Sequence, residues 1–255
     1  MEGSKRAADQ STVAVIPLAL SRQGAVLVLV IAAMFWGVAF LLWGQVGLDK
    51  WLLVSQEGLR ANELVVALAQ LTSKYGMSMI VLVYLLYLLV AFKYEELRDA
   101  YPVYLLVLLM FGIAGIGGDV LKEILNRPRP FVEYAGQITA FSDASTPAFP
   151  SGHATKSMAL ALPFLLSIAS KDMWQKWAKV FTAIIVIGVC CSRVLLGAHY
   201  VSDVLAGVGM ALTCFPLATV LSSMVLRRMT RERLNTAIKV WAVALVGLMV
   251  YLLFL

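Results

Sequence analysis

The chain has 255 residues, of which 61% are hydrophobic and only 14% charged. A soluble domain averages about 45–50% apolar and about 25% charged residues. This composition therefore excludes an ordinary water-soluble core and indicates an all-α, polytopic membrane protein. The net charge of +6 matches the excess of Lys and Arg that membrane proteins keep on their cytoplasmic side. No basic stripe with interleaved aromatics accompanies it, so a nucleic-acid partner is not expected.

The first apolar run, Ala25–Trp43, follows Lys5, Arg6 and Arg22. It is longer than the roughly 7–15 apolar residues of a cleaved signal peptide, and it reads as a retained signal-anchor helix. Leu48–Leu71 is less hydrophobic and carries Asp49, Lys50, Glu57, Arg60 and Glu63. It reads as an amphipathic helix at the membrane interface, or as a re-entrant piece. Further runs are predicted to span at Gly76–Phe92, Val103–Val120, Ala154–Ala169, Ala178–Ser192, Val204–Leu226 and Val240–Leu255, several of them at the short end of the usual 17–25 or so residues. The last is short and follows a basic linker, so the count is six or seven. Asn126–Pro150 is the one substantial non-helical loop, with prolines at both ends, and a loop of this length is expected to cover a site. The whole reads as a single domain, residues 1–255.

With a cytoplasmic N-terminus and seven spans, thirteen of the twenty-one cations fall on the cytoplasmic side and seven on the other, with Lys156 at the start of a span. That bias predicts an N-in topology. It places the polar clusters described next together on the extracytoplasmic face. Cys190, Cys191 and Cys214 lie in apolar runs and read as small buried hydrophobes, with neither a disulfide framework nor a metal site.

The chain has two histidines, and each sits in a polar cluster. Lys122, Arg127 and Arg129 form the first cluster, stiffened by Pro128 and Pro130. Lys122 and Arg127 would each suit a snorkelling cation at the interface. A fixed guanidinium beside an ammonium also suits phosphate oxygens. The second cluster is Phe149-Pro150-Ser151-Gly152-His153 at the start of a span. Ser151 is a good N-cap, Gly152 permits close backbone approach, and a helix N-terminus is an anion site. The third is Ser192-Arg193, His199 and Asp203. If the chain after His199 is helical, His199 and Asp203 share a face. The carboxylate would then fix the tautomer of an imidazole whose other nitrogen could attack phosphorus, while Arg193 steadied the charge that develops.

Taken together, these residues resemble the motifs of the type 2 phosphatidic acid phosphatase (PAP2) superfamily, which includes integral-membrane lipid phosphatases. Lys122 is followed by six residues and Arg129-Pro130. Pro150-Ser151-Gly152-His153 is present in full, as are Ser192-Arg193, His199 and Asp203 at the family's spacing. The resemblance covers residues 122–203. It implies that His199 is the nucleophile forming a phosphohistidine, that Asp203 orients it, and that His153 is the general acid. It further implies that Lys122, Arg129, Ser151, Gly152 and Arg193 cradle the phosphate, with no metal or other cofactor. Arg127 lies outside the motif and its role is open, as is that of Lys156.

The function expected from these readings is hydrolysis of a lipid phosphate or diphosphate at the outer face of a bacterial inner membrane. Undecaprenyl diphosphate, phosphatidylglycerophosphate, phosphatidic acid and a lipid A phosphate all remain open as substrates. Transfer of the phosphoryl group to a second lipid would use the same site. A non-catalytic transporter fits less well, because the middles of the spans carry no charge. The partners implied are the lipid phosphate and the surrounding membrane lipids.

Overall fold

In lipid every backbone N–H and C=O must find its partner within the chain, so apolar runs of this length become helices. The computed structural model describes residues 20–142 and 144–254. Lys5 and Arg6, counted in the charge bias, and Leu255, the end of the last predicted run, lie outside the described residues. The helices are α1 (Arg22–Gly44), α2 (Val46–Val54), α3 (Glu57–Arg60), α4 (Glu63–Lys93), α5 (Tyr101–Leu125), α6 (Pro130–Glu133), α7 (Gly152–Ser167), α8 (Met173–Leu195), α9 (Val201–Leu226) and α10 (Arg231–Leu253), with a 3-10 helix at Glu95–Ala100 before α5. The fold is all-α, as expected.

Local chemistry sets the helix ends. Ser21 accepts from the Gly24 amide at the start of α1, Asn62 from Leu64 and Val65 at the start of α4, and Thr230 from Arg233 at the start of α10. Each side-chain oxygen satisfies an amide that the helix itself cannot. Asn126 ends α5 in a left-handed conformation, φ 41°, and the Pro128-Arg129-Pro130 stretch prevents the helix from resuming.

Among the described residues, six stretches are long and apolar enough to cross a membrane: α1, α4, Glu95–Glu133 containing α5, α8, α9, and Glu232–Leu253 of α10. The predicted run Ala154–Ala169 is the one that falls short: it forms α7, whose 16 residues span about 24 Å, less than a hydrocarbon core of about 30 Å. It is the centre of the bundle. α4, α5, α8 and α9 pack around it, α1 lies on α9, and α10 lies on α4 and α5. A helix sheathed by protein need not match the bilayer. Small residues on α7, among them Ala154, Thr155, Ser157, Ala159 and Ala161, are buried and allow the close approach that membrane helices use. Polar groups are satisfied locally: the Tyr84 hydroxyl donates to the Leu160 carbonyl at 2.8 Å and the Tyr104 hydroxyl to the Tyr84 carbonyl at 2.9 Å.

One expectation needs correction. Leu48–Leu71 is not a single interfacial helix: it comprises most of α2, all of α3 and the first turns of α4. Two of the charges that made it look amphipathic, Asp49 and Arg60, are buried, whereas Lys50 and Glu57 are half-buried and Glu63 is exposed. Arg60 pairs with Glu57 and donates to the Leu195 and Val194 carbonyls at 2.8 and 3.0 Å, closing the orphan C-terminal end of α8. The second span consequently starts at Glu63, well before Gly76.

The contact of α7 with α9 depends on Gly207, where a Cβ would sit 2.7 Å from the Ser151 carbonyl oxygen and 3.0 Å from the Ala154 Cβ. Gly207→Leu should force the helices apart at a cost of about 1–3 kcal/mol, the usual penalty of overpacking, and lower the melting temperature in detergent. Gly247→Leu, at a position with nothing within 4 Å, should leave it unchanged. Equal melting temperatures for both variants would contradict this packing.

Candidate active site

Successive helices run in opposite directions, so the end of α5, the start of α7, the end of α8 and the start of α9 meet at one end of the bundle. The eight residues singled out in the sequence are placed there. Lys122 lies in the last turn of α5, Arg129 just before α6, Ser151 at the N-cap of α7, and Gly152 and His153 in its first turn. Arg193 lies in the last turn of α8 and Asp203 in the first turn of α9. His199 lies in the short connection between α8 and α9. Gly197 in that connection has φ 68°, and a Cβ on it would come within 2.9 Å of the Thr139 carbonyl oxygen. Glycine therefore lets the turn close under the Asn126–Pro150 loop.

His199 and Asp203 meet, though not on a shared helical face. α9 begins at Val201, so His199 precedes it. Asp203 reaches back over the helix start, accepting from the Tyr200 amide at 2.9 Å and standing 3.3 Å from His199 Nδ1, both through Oδ2. A proton on Nδ1 directed to this carboxylate leaves Nε2 with its lone pair free. Nε2 lies 3.3 Å from Arg129 Nη1. His199 is fully buried, and burial together with the Arg193, Arg129 and Lys122 cations holds its imidazole well below the usual histidine range. Both effects disfavour the charged ring, so His199 is neutral at neutral pH.

The cations are fixed by backbone carbonyls. Lys122 Nζ donates to the Pro147 carbonyl at 2.7 Å. Arg129 donates from Nε to the Thr146 carbonyl at 2.7 Å, from Nη2 to Thr146 Oγ1 at 3.0 Å and from Nη1 to the Ala198 carbonyl at 3.0 Å. Arg193 Nη1 donates to Ser73 Oγ at 2.5 Å, while its Nε has no partner among the described residues. Ser151 holds the N-cap position, but its hydroxyl makes no cap. That oxygen is buried without a hydrogen-bond partner among the described residues, and the Ser151 amide instead donates to the Asp203 carbonyl at 2.8 Å. Buried donors left over beside fixed cations suit the oxygens of an anion. His153 and Arg193 also line a cavity of about 590 Å³.

Arg127, whose role the sequence left open, is the centre of a buried network. Its Nη1 donates to Asp203 Oδ1 at 2.7 Å and to Ser202 Oγ at 2.6 Å, and its Nη2 donates to Asp49 Oδ2 at 2.9 Å. Ser202 also donates to Asp49 from both its amide and its hydroxyl. The guanidinium lies 3.9 Å from the centre of the Tyr200 ring and 5.0 Å from that of Trp43. Asp49, in α2, had no sequence signal beyond being a carboxylate in an apolar stretch, and its partners are distant in the chain.

Comparison with known proteins supports the motif reading. Residues 103–229, about half of the chain, match the PAP2 superfamily. The chain belongs to the PAP2 superfamily. It is 34% identical over 116 residues to phosphatidylglycerophosphatase B of Bacillus subtilis, covering 44% of this chain and 54% of that protein. It is 36% identical over 98 residues to lipid A 1-phosphatase of Rhizobium etli, covering 37% of this chain and 39% of that protein. The matched segments thus span roughly half or less of those relatives. The crystal structure of a transmembrane PAP2-type phosphatidylglycerolphosphate phosphatase from Bacillus subtilis has the same fold, with a TM-score of 0.58 and 21% identity over 79% of this chain and 96% of that one. With its six apolar helices, this PAP2 protein is an integral membrane protein.

Removing the centre of the network should be costly, because two buried carboxylates lose their cation. Arg127→Leu is expected to destabilise the protein by about 3–5 kcal/mol. Adding Asp49→Leu should recover part of the loss. Thermal unfolding in detergent measures both, and a single variant as stable as wild type would contradict the network.

Proposed function

We propose that this protein is a membrane phosphatase that removes the phosphoryl group of a lipid phosphate, with His199 as nucleophile and no metal ion. The observation that carries the reading is the position of His199: Nδ1 is held towards Asp203 while Nε2 faces Arg129. Phosphorus arriving at Nε2 would bring its oxygens among Arg129, Lys122, Arg193 Nε and Ser151 Oγ, where fixed donors stabilise the charge of the transition state. His153 then gives its proton to the lipid oxygen as the phosphorus–oxygen bond breaks, leaving a phosphohistidine and the lipid alcohol. In the second half His153 takes a proton from water, the water oxygen attacks phosphorus, and the phosphorus–nitrogen bond breaks. Inorganic phosphate leaves with both histidines returned to their starting states. Asp203 compensates the positive charge on the His199 ring while it carries the phosphoryl group.

The lipid substrate is supported by two lines. The site lies at the ends of membrane helices, at the depth of lipid headgroups, where ionisable residues are functional by default. The curated relatives are named as phosphatases of phosphatidylglycerophosphate and of lipid A. The excess of cations at the opposite helix ends supports an active site on the extracytoplasmic face, and the bacterial relatives support an inner membrane.

Purified protein given phosphatidic acid or phosphatidylglycerophosphate should release inorganic phosphate with no added acceptor, and His199→Ala should abolish the release. The pH dependence of kcat/KM should be bell-shaped, because one histidine must be neutral and the other protonated. Burial and the neighbouring cations hold both His199 and His153 well below the ordinary histidine pKa of about 6.5, so both limbs should lie below it, and the negative charge of an arriving phosphate favours the proton that His153 must carry. Phosphoryl label recovered on an added acceptor lipid, with no inorganic phosphate released, would instead indicate transfer. Full turnover by the His199→Ala protein would refute the mechanism.

A further inference from the structure

The cavity beside His153 and Arg193 is built partly by two helices, α4 and α10, that lie outside the matched family region. Its polar lining carries Gln70, Ser73 and Lys74 of α4 and Ser142 of the Asn126–Pro150 loop, with His153 and Arg193. Its apolar side is made by Met77 of α4 with Leu252 and Leu253 at the end of α10, and Phe254 follows them. Met77 and Leu252 are almost wholly buried, whereas Phe254 is 89% exposed at the mouth. The family match ends at residue 229 and α10 begins at Arg231. This apolar wall therefore lies outside the matched segment.

We infer that the end of α10 is part of the substrate site, its leucines forming the wall that receives the hydrocarbon chain adjoining the phosphate. This rests on the lipid-phosphate reading above and goes on to name what selects the lipid. The cavity is amphipathic in the sense that a lipid phosphate is. The cationic and histidine side would take the phosphate, and the aliphatic side would take the first part of the chain. A volume of about 590 Å³ falls within the usual range of about 300–1,000 Å³ for small-molecule sites. A free phosphate ester without a chain would leave the partly exposed Leu253 and the exposed Phe254 uncovered. The wall therefore discriminates between substrates that carry a chain and those that do not. Leu253 is the residue to alter, because it is only partly covered in the protein while Leu252 packs inward.

The test is the ratio of kcat/KM for dioctanoyl phosphatidic acid to that for p-nitrophenyl phosphate, measured on full-length protein in detergent. Leu253→Trp, which fills the cavity, should lower this ratio about tenfold, within the range a pocket gains from one or two methylene groups. Leu253→Ala, a milder change that preserves helix propensity, should lower it in the same direction. Val243→Trp, on the same helix at a position 73% exposed, should leave it at the wild-type value. An unchanged ratio in both Leu253 variants, or an equal loss on both substrates, would overturn the assignment of α10 to the chain site. Wild-type protein releasing phosphate from p-nitrophenyl phosphate alone, or from neither compound, would refute the lipid-phosphatase reading itself, and this inference with it.

Discussion

Arg127 holds two carboxylates, Asp49 and Asp203, with one guanidinium in a setting almost closed to water. The rest of the site follows from that. A charge in such surroundings is tolerated only when its partners are close and every donor is used. The requirement ties α2, the loop after α5 and the start of α9 into one piece. Asp203 is consequently shared: one oxygen answers Arg127, and the other answers the Tyr200 amide and His199. A carboxylate so held has no freedom to turn away from the imidazole. The position of His199 is thus set by contacts that begin in α2, some 150 residues earlier in the chain.

The same economy explains the cations. Each of Lys122 and Arg129 spends part of its donor capacity on backbone carbonyls of the loop at Thr146 and Pro147, which fixes its head without neutralising its charge. The loop in turn is anchored by Phe149, which is fully buried and packed on Trp43 with ring centres 4.6 Å apart. Positive charge accumulates where a neutral nucleophile is wanted, since neighbouring cations and burial both oppose protonation of His199. An arriving phosphate would supply the missing negative charge.

Much of this was legible in the sequence because the bilayer imposes a simple rule. Long apolar runs must be helices, and antiparallel order then brings Lys122, Ser151, Arg193 and Asp203 to one end. The motif spacing added the rest of the matched residues. Three features escaped for physical reasons. Leu48–Leu71 looked amphipathic because local patterning cannot tell a charge facing water from one buried against a distant partner, as Asp49 and Arg60 are. Ser151 occupies an N-cap position, yet its hydroxyl is withheld from the helix, and no sequence rule for caps anticipates that. The link between His199 and Asp203 was foreseen from helical spacing, but it arises from a carboxylate folding back over a helix start. The short central α7 shows the opposite case: a run too short for the bilayer is accommodated because protein surrounds it.

The central claim is that the phosphoryl group passes through His199. The most direct measurement is to mix radiolabelled lipid phosphate with excess protein, quench within the first turnover, and map the label. The mechanism predicts a base-stable, acid-labile phosphohistidine on the peptide containing His199, absent when Asn replaces His199. Turnover at the normal rate with no label on the protein at any quench time would contradict it.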